Sequence, residues 1–153
     1  MSANNLLTVH WGLDWLWSLP LIIFTVLLHV FVLRLTNHGV RSLLKMDAKT
    51  RFPHVVSIIA VGGAALCATA AHGIEGWLWS LTYFLSGAIS DPKAAMEFSL
   101  GAMTTFGGND LHVERRWALM GPLEALSGWI LFGLTTAFLF TIVREVWSED
   151  KWS

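Results

Sequence analysis

The chain has 153 residues, 54% of them hydrophobic and 14% charged, with a formal net charge of −1 and a mean hydropathy of +0.56. This is too apolar for a soluble domain of its size and predicts an all-α integral membrane protein of one domain. The near-neutral balance, with basic residues gathered mainly in one loop, excludes a globally basic nucleic-acid binder, and a single cysteine, Cys67, excludes an intrachain disulfide.

Residues 1–13 lack the basic start of a cleavable signal peptide. The first predicted span is Trp15 to Leu35, with Pro20 as a point where the helix can kink. The connection that follows carries Arg34, Arg41, Lys45, Lys49 and Arg51 against one acid, Asp47, and is therefore expected on the cytoplasmic side. The N-terminus then lies outside and the C-terminus, with Arg144 and Lys151, inside. The second span, Val55 to about Leu81, carries Gly62-Gly63-Ala64-Ala65, Ala68, Ala70 and Ala71, a small-residue face for close helix packing. Trp11, Trp15, Trp17, Trp77, Trp79 and Trp117 fall near the outer interface and Trp147 and Trp152 near the inner one. Trp129 sits alone at mid-depth and reads as a packing residue.

After the second span, Asp91-Pro92 pairs an N-cap with a proline at the first helical position and starts a helix ending at Met103, too short to cross. It leads into Thr104-Thr105-Phe106-Gly107-Gly108-Asn109-Asp110. A half-length helix running into a Gly-rich loop is tolerated at membrane depth only inside protein or a watery cavity. The loop itself is rich in residues that tolerate unusual φ/ψ, as an ion-selectivity filter of backbone carbonyls needs. Asp110 would place a carboxylate at the outer mouth, assisted by Glu114 and opposed by Arg115 and Arg116. One such loop per chain predicts a closed cyclic homo-oligomer.

The third span runs from Leu119 to Val143. Glu124 in its outer third is costly facing lipid, and is expected to bond to the short helix or to the loop backbone and brace it. Thr135 and Thr136 either line an inner cavity or bond back to their own helix. His72 and Glu75, three residues apart, share a helix face as a pH-sensitive pair or as a polar cluster pinning this helix to the short one. His29 and His72 also raise a haem-binding reading, against which their assigned depths argue: the inner half of the first span for His29, the outer end of the second for His72.

Thr105-Phe106-Gly107-Gly108-Asn109-Asp110, with Thr104 and Ser99 before it, resembles the filter region of tetrameric potassium channels, whose pattern is Thr-Val-Gly-Tyr-Gly-Asp. Gly128-Trp129-Ile130-Leu131-Phe132-Gly133 resembles the glycine-bearing inner helix of the bacterial members of that family. The likeness covers residues 53–147 as a pore module, leaving residues 1–52 as an extra N-terminal helix with its basic loop and 148–153 as a cytoplasmic tail.

The resemblance implies a homotetramer around a central pore in a bacterial inner membrane, each chain giving three transmembrane helices, a re-entrant pore helix and a filter loop. It implies monovalent cations, foremost K⁺, held by Thr105, Phe106, Gly107 and Gly108, with Asn109 and Asp110 completing the filter and Ser99 and Thr104 supporting it. Gly128 and Gly133 become gating-hinge candidates. Gly108 replaces the family's aromatic and Asn109 its second glycine, so a non-selective cation channel is the alternative and a non-conducting scaffold a further one. Neither a nucleophile with a base, a metal-ligand cluster nor a phosphate loop is visible in the sequence, so no enzymatic activity and no cofactor are expected.

Overall fold

The computed structural model describes residues 3–47, 53–107 and 113–149. Helix α1 covers Ala3–Asp47, α2 Pro53–Leu85, α3 Pro92–Met103 and α4 Met120–Glu149, with a single 3₁₀ turn at Arg115–Trp117. No strand occurs among the described residues. Among the described residues, three stretches are long and apolar enough to cross a membrane, Gly12–Lys45, Val55–Leu85 and Met120–Trp147, as an integral membrane protein requires. At 12 residues, α3 reaches only about 18 Å against a hydrocarbon thickness of about 30 Å.

The helix boundaries have local causes. α1 passes through Pro20 without interruption, and the Thr25 hydroxyl donates to the carbonyls of Leu21 and Ile22 at 2.9 and 3.0 Å. It also runs past its apolar stretch, so Arg34, Arg41 and Lys45, expected in a loop, lie on helix. No proline interrupts residues 36–47, and charged side chains are good helix formers. α2 stops at a left-handed Gly87, with φ 72°, where the N–H groups of Ala88 and Ile89 donate to the Tyr83 carbonyl at 3.0 and 3.2 Å. α3 begins as its sequence predicts: the Asp91 carboxylate accepts from the Ala94 N–H at 2.8 Å and Pro92 follows.

The chain forms two compact units, residues 1–27 with 73–131, and residues 28–72 with 132–153. The first has a core of Trp79, Tyr83, Ala88, Ile89, Ala95, Trp117 and Met120. Trp79 and Trp117 are thus core residues and not interfacial anchors, while Trp15, Trp17 and Trp77 are exposed. A large aromatic buries more apolar surface than any other residue, and this unit needs it beside the alanines of α3. The second unit packs Val40 and Leu44 of α1 and Ile142 and Val146 of α4 with Ala60 and Ala64 of α2. Arg41 Nε lies 3.4 Å from Glu145 Oε1 at its surface.

On α2 the buried face is Ala60, Ala64, Ala68 and Ala71, spaced at helical intervals. Gly62 and Gly63 point into open space, so alanines and not glycines make the close-packing surface. Trp129, read from the sequence as a packing residue, is 68% exposed. Replacing Ala64, 1% exposed, with Leu should lower stability by about 1–3 kcal/mol, the usual cost of overpacking. Gly62→Ala should hold or raise it by up to about 1 kcal/mol, since alanine is the better helix former. Thermal unfolding of both variants in detergent checks the contrast.

Candidate functional site

The first unit has to hold a short helix and the irregular segment after it. α3 turns Ala95, Ser99 and Met103 inward, and polar fixings add to that packing. Ser99, fully buried on α3, faces the carboxylate of Glu124, fully buried on α4. The Ser99 hydroxyl lies 2.5 Å from Glu124 Oε1 and 2.7 Å from the Gly76 carbonyl of α2. The Tyr83 hydroxyl, also from α2, donates to Glu124 Oε2 at 2.8 Å. One carboxylate therefore links α2, α3 and α4. Both its oxygens are engaged, which meets the demand that a buried charged or polar group be hydrogen-bonded.

Backbone approaches are correspondingly close. A Cβ on Gly128 would fall 2.2 Å from the Met103 carbonyl oxygen, so α4 passes directly against the last residue of α3. A Cβ on Gly76 would meet Leu100 at 3.1 Å, and one on Gly121 would meet Phe98 at 3.1 Å. Phe98 packs edge-on against Tyr83, with centroids 5.1 Å apart and planes at 83°, and steadies the tyrosine that donates to Glu124. Gly133 has open space around it.

Beyond Met103 the backbone leaves the helix in an unusual conformation. The Thr104 and Thr105 N–H groups still donate to Leu100 and Ala102, and the Gly107 N–H turns back to the Gly101 carbonyl at 3.3 Å. The Thr104 hydroxyl donates to the Leu100 carbonyl at 2.6 Å. Thr105 has φ 54° and Gly107 φ 58°, and Thr105 alone among the described non-glycine residues has positive φ. For a β-branched residue the left-handed region is an outlier that costs on the order of 1–2 kcal/mol. Such strain gathers at functional sites, where the surrounding structure enforces it. Phe106, between them, is 86% exposed. A cavity of about 290 Å³ opens between this segment and the start of α4, walled by Phe98, Gly101, Thr105, Gly107, Gly121 and Pro122.

Gly108, Asn109 and Asp110 lie outside the described residues. Of the charged groups assigned to the mouth, Arg116 pairs with Glu114 at 2.9 Å and sits 5.7 Å above the Trp117 ring. The Thr136 hydroxyl donates back to the Phe132 carbonyl at 2.8 Å on an exposed face.

In the second unit, the hydroxyl of Thr135 is engaged by two other helices. Its hydroxyl oxygen meets Nε2 of His29 at 2.9 Å and Nε2 of His72 at 3.0 Å. His72 is therefore linked to α4. The expected mismatch in depth between the two histidines is overturned, since their ring centroids are 4.9 Å apart. Helix α2 begins at Pro53 and α1 extends to Asp47, so depths counted from the apolar stretches alone misplaced both residues. The two rings converge on one oxygen, so depth no longer argues against their meeting. The convergence went unseen because residues 29, 72 and 135 are far apart in sequence and none belongs to a short motif.

No known protein family, curated protein or solved structure matches the chain.

Glu124→Ala strips Tyr83 and Ser99 of their shared acceptor and should cost about 3 kcal/mol or more. Glu124→Gln should cost less, because its carbonyl still accepts from Tyr83 while its N–H group can donate to Ser99, freeing the single Ser99 proton for Gly76. Tyr83→Phe should cost about 1–2 kcal/mol. Unfolding midpoints in detergent should follow the order Ala, then Phe or Gln, then the parent chain. Gly128→Ala should impair folding outright, because the opposing atom is a main-chain carbonyl that cannot move aside. Yield and size-exclusion profile report it, with Gly133→Ala as the tolerated counterpart.

Proposed function

We propose that the chain is one subunit of a homotetrameric cation channel that conducts potassium passively across a bacterial cell membrane. Its ion ligands are the carbonyls of Thr105, Phe106, Gly107 and Gly108, with the Thr105 hydroxyl. The observation that carries this reading is the strained backbone at Thr105 and Gly107, emerging from the C-terminal end of a half-length helix pinned by a buried carboxylate. Carbonyls at a helix C-terminus carry partial negative charge and favour a cation beyond them. Dehydrated monovalent ions are selected by such backbone oxygens.

In this reading α3 is a re-entrant pore helix and α4 the inner helix, and the N-terminus lies outside and the C-terminus inside the cell. A single loop cannot enclose an ion, so four copies supply the ring. The exposure of Phe106 and Trp129 is what side chains meeting neighbouring copies would show in one isolated chain. Asp110 closes each filter with a carboxylate. A second reading, a non-selective cation channel, is favoured by Gly108 in place of the aromatic that braces family filters.

Protein reconstituted in liposomes under opposed K⁺ and Na⁺ gradients should give a reversal potential near that of potassium, and its native mass should be that of four chains. Equal permeability would select the non-selective channel. Absence of flux from correctly inserted tetramer would leave the chain a scaffold.

A further inference from the structure

Three helices of the second unit each bring one polar side chain to a common point: His29 from α1, His72 from α2 and Thr135 from α4. The Thr135 hydroxyl oxygen lies 2.9 and 3.0 Å from the two Nε2 atoms, and the ligating nitrogens of His29 and His72 lie within 4.8 Å of each other. Phe132 stacks on the His72 ring at 4.5 Å and 30°, which fixes its plane. His29 is fully buried, and Thr135 is 9% exposed.

Two imidazoles aimed at one small space are the donor set of a transition metal. Zinc–imidazole bonds of about 2.0–2.1 Å place two ligating nitrogens of one ion about 3–4 Å apart. The observed spacing, within 4.8 Å, is close to that. Imidazole suits zinc and its first-row neighbours, whereas alkali cations and Mg²⁺ take oxygen ligands, so the site is chemically distinct from a monovalent-cation filter. A hydroxyl group between the nitrogens adds a neutral oxygen donor.

We propose that His29 and His72 are the imidazole ligands of a buried divalent transition-metal ion, zinc or a close congener, with the Thr135 hydroxyl as an oxygen donor beside them. Binding replaces the hydroxyl-mediated link with coordinate bonds and ties three helices of this unit together.

The test uses the full chain without a histidine tag, purified in detergent, stripped with a chelator and titrated with Co²⁺ and then Zn²⁺. The parent chain should bind about one equivalent per chain, show the visible absorption of nitrogen-ligated cobalt, and lose that absorption to zinc. His29→Gln and His72→Gln should each weaken binding at least about tenfold, the loss seen even on removing outer-shell partners. His38→Gln, at an exposed position of α1, should not. Unchanged affinity in both ligand variants, or no cobalt absorption at saturating metal, overturns the site. If either variant fails to fold, Cu²⁺ bound to the parent chain decides through electron paramagnetic resonance. Hyperfine splitting from two imidazole nitrogens is expected, and one or none overturns the proposal. These readouts do not depend on ion conduction, so the site and the channel reading stand or fall separately.

Discussion

The buried Glu124 carboxylate is the constraint on which the first unit depends. A twelve-residue helix is close to the length below which isolated helices are marginal, and tertiary contacts must hold it. Here those contacts are polar as well as apolar, with Ser99 and Tyr83 on the two oxygens of one side chain. Removing an ionisable group from water is costly, and the cost is met only where geometry satisfies the group completely. The carboxylate thus demands its partners, and in demanding them it fixes where α2, α3 and α4 meet. Gly128 serves the same end by letting main chain approach main chain.

Because α3 is held from behind, its end can support an unfavourable backbone. The positive φ at Thr105 would relax in an unsupported loop, since nothing intrinsic to threonine favours it. The segment departs from helix while its first N–H groups still donate into α3, so strain and anchoring occur within a few residues of each other. That combination gives a channel reading its physical content: a carbonyl-lined path needs backbone that is both irregular and stiff.

The second unit solves a related problem with histidines. Its apolar core rests on small alanines of α2 against branched residues of α1 and α4, and His29, His72 and Thr135 add a directional contact among the same helices. One hydroxyl between two imidazoles can donate to only one of them, so at least one ring presents an N–H to it. Such a link specifies which faces of the helices meet more sharply than apolar packing does.

By itself the sequence determined the elements: three apolar stretches long enough to cross a membrane, and a short helix begun by Asp91-Pro92. Each depends on local chemistry, namely hydropathy over a span and capping over four residues, which one stretch of chain expresses alone. It also marked Glu124 as a group needing a buried partner, because a carboxylate in an apolar helix admits few other outcomes. The tertiary structure decided which partners those were, since Tyr83, Ser99 and Glu124 lie on different helices and share no motif. It likewise moved Trp79 and Trp117 from an expected interface into the core and assigned α2's packing face to its alanines. It also joined His29 to His72, whose separate depths had argued against a meeting. Side-chain partnership across helices depends on axial register and rotation, and hydropathy fixes neither.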